Sequence, residues 1–129
     1  MKNIEDTVLL LVDDEPNILS SLRRLFMRLG YQLLSAENGL IALDLLRSNS
    51  VDLVLSDYLM PVMNGGELLE RIHTEYPLLP LIMLTGTTMI LDNSVNLKKE
   101  HIFKIVSKPW GNDELIETVQ NALIKAQSI

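Results

Sequence analysis

Five short apolar runs, each halted by polar residues and each followed by a stretch of helical period, constrain this chain more than any other feature. Thr7–Val12 (TVLLLV) is apolar at consecutive positions after its first residue, as expected of a strand buried on both faces of a parallel sheet. It stops at Asp13-Asp14-Glu15. Pro16 then opens a helix, where its missing N–H costs nothing. Ile18, Leu22, Leu25, Phe26 and Leu29 recur three or four positions apart and form one apolar stripe. Gly30 ends that helix as a left-handed cap.

The unit recurs along the chain. Tyr31–Ala36 reads as a strand and Asn38–Arg47 as a helix capped by Asn38. Val51–Ser56 is a buried strand that ends at Asp57. Pro61 to Gly66 is turn chemistry, with Asn64 capping a helix that runs to about Glu75, before Pro77. Leu79–Leu84 is the fourth strand and ends at Thr85-Gly86-Thr87. Met89–Lys99 is a weaker helix, interrupted by Asp92-Asn93-Ser94. Ile102–Val106 is the fifth strand and ends at Ser107-Lys108-Pro109. Asn112–Gln127 closes the pattern as an amphipathic helix with Leu115, Ile116, Val119, Ala122, Leu123 and Ala126 on one face. Such alternation predicts a single α/β doubly wound (βα)5 domain over residues 1–129, with right-handed crossovers and helices on both faces of the sheet. No linker, low-complexity tract or sequence repeat divides it.

Composition removes several function classes. With no cysteine, disulfides, thiol nucleophiles and zinc–thiolate sites are excluded. Seventeen acids against eleven bases leave a net charge of −6, which disfavours a phosphate-backbone partner and suits metal cations and basic protein surfaces. No apolar run approaches the roughly 20 residues needed to span a bilayer, and the opening Met1-Lys2-Asn3-Ile4-Glu5-Asp6 is not a secretory signal. The expectation is a cytoplasmic domain with no membrane contact.

The polar residues fall where such a sheet binds its ligands, outside the carboxyl ends of the strands. Asp13 and Asp14 follow the first strand, Asp57 the third, Thr85 the fourth and Lys108 the fifth. If the first and third strands are neighbours, three carboxylates meet with one hydroxyl and one ammonium. Carboxylates that close do not all ionise without a counter-charge. One lysine is too little for three acids, and an all-oxygen donor set suits Mg²⁺. Lys108 and the ion would neutralise an incoming phosphoryl group, Thr85 could hydrogen-bond it, and Asp57 is the candidate nucleophile for an aspartyl-phosphate. Placement alone leaves the reaction class open.

Four segments in register, LLLVDDEPNI, LVLSDYLMPVMNGGELL, IMLTGTT and VSKPW, resemble the receiver domain of two-component response regulators over essentially the whole chain. The resemblance implies a flavodoxin-like fold with strand order 2-1-3-4-5. It implies that Asp57 accepts phosphate from a sensor histidine kinase or histidine phosphotransfer protein. Asp14 and Asp57 would bind Mg²⁺ directly, Asp13 largely through water, and the backbone carbonyl of Leu59 would be a further ligand. Thr85 would be the switch hydroxyl, and Lys108 the partner of Asp57 and then of the phosphoryl oxygens. A cis Lys108–Pro109 bond is expected, and Gly86 fits the small residue beside the hydroxyl. The surface of the fourth helix, fifth strand and fifth helix (Met89–Lys99, Ile102–Val106, Asn112–Gln127) would face an output domain, a downstream protein or a second copy in a homodimer.

One position departs from the pattern. Three residues before the lysine the family usually carries Tyr or Phe, and this chain has Ile105. Phe103, two residues earlier, is expected on the same face of the strand.

Plainer readings compete at each position. Asp13 and Asp14 could simply cap the first helix, and Glu15 is read as first-turn helix charge. His73 and His101 have no partner at ligand spacing in the sequence and read as structural or solvated. Trp110 reads as packing against the last helix, and the six methionines as core filler. For the whole chain, the resemblance implies a regulatory phosphoacceptor that turns over no external metabolite. One alternative is a receiver-like scaffold acting by protein contact without phosphorylation. Another is a phosphohydrolase of the haloacid-dehalogenase kind. That class places its nucleophile after the first strand with an acid two residues on, a spacing Asp13-Asp14-Glu15 meets only loosely.

Overall fold

A computed structural model describes residues 2–86 and 99–127. Its five strands are β1 (Val8–Val12), β2 (Gln32–Ala36), β3 (Leu53–Asp57), β4 (Leu81–Thr85) and β5 (Lys104–Ser107). All four pairings are parallel, and the order is β2-β1-β3-β4-β5. The helices are α1 (Pro16–Met27), α2 (Gly39–Ser48), α3 (Gly65–Glu75) and α4 (Asn112–Gln127), the last being the fifth helix of the sequence pattern. The helix expected over Met89–Lys99 lies outside the described residues except for Lys99, which opens a short 3₁₀ turn over Lys99–His101. A second 3₁₀ turn covers Ile4–Asp6.

The sheet divides the core in two. Leu10, Val12, Val54 and Met83 face α2 and α3 and pack with Leu43, Leu68 and Ile72. Leu9, Leu11, Leu55, Ile82 and Leu84 face α1 and α4 and pack with Leu22, Phe26, Leu115 and Val119. Every residue of β3 and β4 is buried, which is why their sequences are continuous apolar runs rather than alternating ones.

Local signals end the elements where expected. Asn38 Oδ1 accepts the amide of Ile41 and Asn64 Oδ1 that of Glu67, both at 2.9 Å, so both predicted asparagine caps satisfy an otherwise unpaired helix amide. Gly30 follows α1 with φ +100°, a conformation that costs glycine no Cβ clash. All five strands begin later than their apolar runs, β3, β4 and β5 by two residues. Asp52 precedes β3 because its carboxylate takes the Val8 amide at 2.9 Å and the Lys2 ammonium at 3.0 Å. Pro80 has no amide to donate and leaves β4 to begin at Leu81. A bend at Phe103 delays β5 to Lys104, and it runs on to Ser107.

Candidate functional site

Strand register sets the site. Val12 pairs with Ser56, Asp57 with Leu84 and Thr85 with Ser107, so the residues that follow β1, end β3 and β4, and follow β5 stand at one edge of the sheet. Asp13 leaves β1 with its amide on the Ala36 carbonyl at 3.1 Å and is fully buried. Its Oδ1 accepts the Glu15 amide at 2.9 Å, and its Oδ2 accepts from Lys108 Nζ at 3.0 Å. Asp13 therefore braces the residue that precedes α1 and does not cap the helix, whose N-cap Glu15 makes no side-chain cap bond, and its second oxygen belongs to the cluster.

Asp57 Oδ1 accepts the Tyr58 amide at 2.9 Å and lies 3.2 Å from Lys108 Nζ. Asp14 is exposed, yet it, Asp13 and Asp57 each bring a carboxylate oxygen within 4.8 Å of the others. Thr85 is buried at the end of β4, and its carbonyl accepts the Lys108 amide at 2.8 Å. The Lys108–Pro109 peptide is cis, as expected. Leu59 is 52% exposed on the loop that leaves Asp57 for α3.

Charge is unbalanced here. Burial pushes the Asp57 carboxyl above the ordinary carboxylate range against the pull of Lys108, and the neighbouring Asp13 charge adds to the push. Burial draws the Lys108 ammonium down, but its hydrogen bond to Asp13 and the charges of Asp13 and Asp57 outweigh that and hold it above its usual value. Among the described residues three carboxylates stand with one ammonium, which reaches Asp13 and Asp57, and the open side of the cluster is at exposed Asp14. That donor set fits a hard divalent cation, which takes carboxylate oxygens and keeps several waters.

The loop after Asp57 carries two features that sequence reasoning missed. A Cβ on Gly65 would lie 2.5 Å from the Asp57 carbonyl oxygen and 2.8 Å from Tyr58 Cα, so only glycine lets α3 close on the end of β3. The Gly65-Gly66 pair was legible as turn chemistry, but its partner was not. Val62 has φ +72°, with the Met63 amide on the Pro61 carbonyl at 2.8 Å. This β-branched residue in a tight γ-turn is 88% exposed; the Pro61–Gly66 stretch reads as turn chemistry, yet nothing marks Val62 as its left-handed residue, since neither glycine nor asparagine stands there.

One expectation needs correction. Phe103 does not share a face with Ile105. It precedes β5 and packs against the α1–α4 core, whereas Ile105 packs against the α2–α3 core. The bend between them breaks the two-residue alternation. Lys125 Nζ lies 5.8 Å from the Phe103 ring centroid. His73 and His101, read separately as structural or solvated, stack on each other with ring centroids 3.6 Å apart. A Cβ on Gly86 would meet Lys108 Cβ at an ordinary 3.8 Å. Trp110 packs, half-buried, on the α1–α4 core.

A parallel sheet in the order β2-β1-β3-β4-β5, with an acid trio and a lysine at its carboxyl edge, defines a flavodoxin-like class of α/β domains. Within that class, the family described as the response regulator receiver domain matches residues 9–120, and the chain belongs to it. Transcriptional regulatory protein GlrR of Escherichia coli (strain K12) is 36% identical over 115 residues, covering 89% of this chain and 26% of that protein. DNA-binding transcriptional regulator NtrC of the same organism is 35% identical, over 87% of this chain and 24% of its own length. The chain thus spans about a quarter of these curated relatives. Among solved structures, the signal receiver domain of an HD domain-containing protein from Pseudomonas fluorescens Pf-5 superposes with a TM-score of 0.86 at 38% identity, covering 95% of this chain and 98% of that one. Response regulator protein TrrA from Thermotoga maritima, in complex with Mg(2+)-BeF, superposes with a TM-score of 0.82 at 34% identity, over 90% of this chain and 98% of that one.

Proposed function

We propose that Asp57 is the phosphoacceptor of this domain and that the donor is the phosphohistidine of a sensor histidine kinase or phosphotransfer protein. One observation carries the reading: Lys108 Nζ bridges Asp13 and Asp57 at 3.0 and 3.2 Å, in a cluster one cation short of balance. An Asp57 oxygen attacks phosphorus, the P–N bond to the donor histidine breaks, and the histidine leaves with its electron pair. Asp14, Asp57, the Leu59 carbonyl and, through water, Asp13 would hold Mg²⁺. When bound, that ion supplies positive charge to the phosphoryl oxygens.

The chain's own residues do the rest. Tyr58 N–H, donating to Asp57 Oδ1, orients the carboxylate and leaves its other oxygen as nucleophile. Lys108 would move from carboxylates to the phosphoryl oxygens, and Thr85, at the adjacent strand end, would donate its hydroxyl to one of them. Lys108 and Thr85 are already joined through the backbone bond between them, so a shift of either is felt at the ends of β4 and β5.

The domain acts in the cytoplasm as a switch and turns over no external metabolite in this reading. Its output runs through the stretch Met89–Lys99, β5 and α4, where Ile105 stands in place of the family's usual aromatic, toward an output domain, a partner protein or a second copy. The net charge of −6 argues against nucleic acid as a direct ligand of this segment. No helix among the described residues is long and apolar enough to cross a membrane.

Incubation with Mg²⁺ and acetyl phosphate, followed by intact-mass measurement, tests the proposal. The expected result is one phosphoryl adduct, absent from the Asp57→Asn variant. An adduct that survives in Asp57→Asn would place the acceptor elsewhere. Steady phosphate release from varied monoesters would favour a hydrolase, and no adduct at all would favour a scaffold. Gel filtration with and without beryllofluoride reads the dimerisation arm.

A further inference from the structure

Ser56 is a polar residue of β3 for which the phosphoryl chemistry above has no use. It is fully buried. Its partners across the sheet are Val12 on β1 and Met83 on β4, both part of the core beneath α2 and α3. A hydroxyl in such surroundings costs free energy unless it is hydrogen-bonded, and packing alone would be met by alanine. Its bond goes to the end of its own strand: Ser56 Oγ donates to the Asp57 carbonyl oxygen at 2.9 Å. The other side of that same peptide unit is held too. The Tyr58 amide lies 3.1 Å from the Leu84 carbonyl oxygen and 2.9 Å from Asp57 Oδ1. The Asp57–Tyr58 peptide thus has its oxygen tied to Ser56, and its N–H shared between β4 and the carboxylate.

We infer that Ser56 is a positioning residue for Asp57 and acts through the Asp57–Tyr58 peptide; this rests on Asp57 being the phosphoacceptor. A peptide unit is planar, so its carbonyl and its amide turn together. If the carbonyl swings away from Ser56, the Tyr58 N–H swings off Asp57 Oδ1, and the carboxylate loses the bond that sets which oxygen is left to attack. The backbone of α3 crowds the same carbonyl: a Cβ on Gly65 would lie 2.5 Å from its oxygen, and the Gly65 amide donates to the Tyr58 carbonyl at 2.7 Å. Crowding limits how far the peptide turns but gives it no preferred direction. The Ser56 hydroxyl does, because a hydrogen bond weakens steeply as it bends. Attack on phosphorus depends on alignment, and a misplacement of about 1 Å can cost roughly a hundredfold in rate. Were Ser56 only a satisfied core residue, its loss would lower stability and leave the rate of the folded protein alone.

Ser56→Ala, Ser56→Thr and Ser56→Val, each compared with the parent, test the assignment. Threonine and valine are both β-branched and differ in the hydroxyl, so the cost of added bulk is common to the two. At saturating Mg²⁺, adduct formation from acetyl phosphate is expected to be about tenfold slower in Ser56→Ala and Ser56→Val than in the parent and Ser56→Thr. The Tyr58 amide reports on the peptide without any phosphoryl chemistry. Its proton resonance should move upfield in Ser56→Ala and Ser56→Val and keep its place in Ser56→Thr. Parental rates in Ser56→Ala and Ser56→Val would overturn the assignment, even with a lowered melting temperature. So would a slower rate with an unmoved Tyr58 amide, or a Ser56→Thr chain as slow as Ser56→Val. Should the two bulkier variants not fold, Ser56→Ala against the parent decides by the same two readouts. An adduct that persists in Asp57→Asn would sink the phosphoacceptor reading by itself, while the Tyr58 resonance still decides whether Ser56 holds the peptide.

Discussion

Lys108 reaches Asp13 across the tips of two intervening strands. β3 and β4 lie between β1 and β5 in the sheet, yet Lys108 Nζ comes within 3.0 Å of Asp13 Oδ2, a residue 95 positions earlier in the chain. The pair can form only when all four strands are in place, so the charge balance of the site reports on completion of the sheet.

Replacing Lys108 with Met leaves Asp13 and Asp57 buried without their shared cation. Removing one partner of a buried ion pair costs about 3–5 kcal/mol. The lower end applies here, because the Lys108 side chain keeps 17% of its exposure. Millimolar Mg²⁺ should restore part of the loss. Urea unfolding of Lys108→Met with and without MgCl₂ measures both effects, and a variant as stable as its parent would contradict the ion-pair reading.

For Asp57 the sign runs the other way. Its pKa is raised in the folded protein, so the native state holds its proton more tightly than the unfolded chain does. Stability falls as pH climbs through the unfolded value and levels off above the folded one. Asp57→Asn removes that penalty. The variant should therefore be more stable than the parent at neutral pH, with the difference closing in acid. Lys108, also raised, stabilises below its usual value and loses that contribution as alkaline pH passes its folded value. Thermal melts of both proteins from acid to alkaline pH would show the two trends.

Mg²⁺ should raise the melting temperature of the parent by mass action, about 2.7 kcal/mol at a hundred times the dissociation constant. Asp57→Asn should gain much less, having lost one of the oxygens proposed to hold the ion. Removing the metal with EDTA should return the parent to its starting curve. Equal gains in both proteins would place the ion elsewhere.

Gly65→Ala tests the closure of α3 on β3. Glycine to alanine at a compatible helix position usually stabilises by roughly 0.4–1 kcal/mol. Here the new Cβ would meet the Asp57 backbone oxygen at 2.5 Å and Met83 Sδ at 2.8 Å, and backbone cannot step aside. The expected sign is destabilising, by about 1–3 kcal/mol, together with weaker Mg²⁺ binding as the Leu59 loop shifts. Denaturant midpoints and Mg²⁺ titration give the two readouts.

Val62→Gly should stabilise. Left-handed backbone costs an L-residue about 1–2 kcal/mol, and glycine's greater freedom in the unfolded chain returns roughly 0.4–1 kcal/mol of that gain. With its side chain 88% exposed, Val62 has little packing to lose. A net increase of about 0.5–1 kcal/mol in urea unfolding is expected, and a loss would mean the turn is not strained.

What the sequence displayed and what it concealed follow from the range of the forces involved. The acids and lysine of the site were legible because each interrupts a run of residues bound for the core, so Asp13, Asp57 and Lys108 could only lie at strand ends. Asn38 and Asn64 were legible because a cap acts within three residues. Phe103 was misplaced because a bend, set by tertiary packing rather than local propensity, slips the alternation just before β5. The His73–His101 stack was invisible for a similar reason. Its two rings come from a helix and a 3₁₀ turn whose meeting depends on how α3 lies beside the sheet edge.

The division of the core by the sheet has a further meaning. Leu10 and Leu11 are chain neighbours, each fully buried, yet they belong to opposite compartments. The sheet acts as a bulkhead: a void opened on one side meets a wall of paired backbone, which has little freedom to collapse into it. Damage beneath α2 and α3 should stay local, leaving the packing of α1 and α4 nearly untouched. A change that starts at the strand tips is different, since Asp57, Thr85 and Lys108 sit on the rim of the bulkhead itself. From there both compartments are reachable at once, which is the position a switch requires.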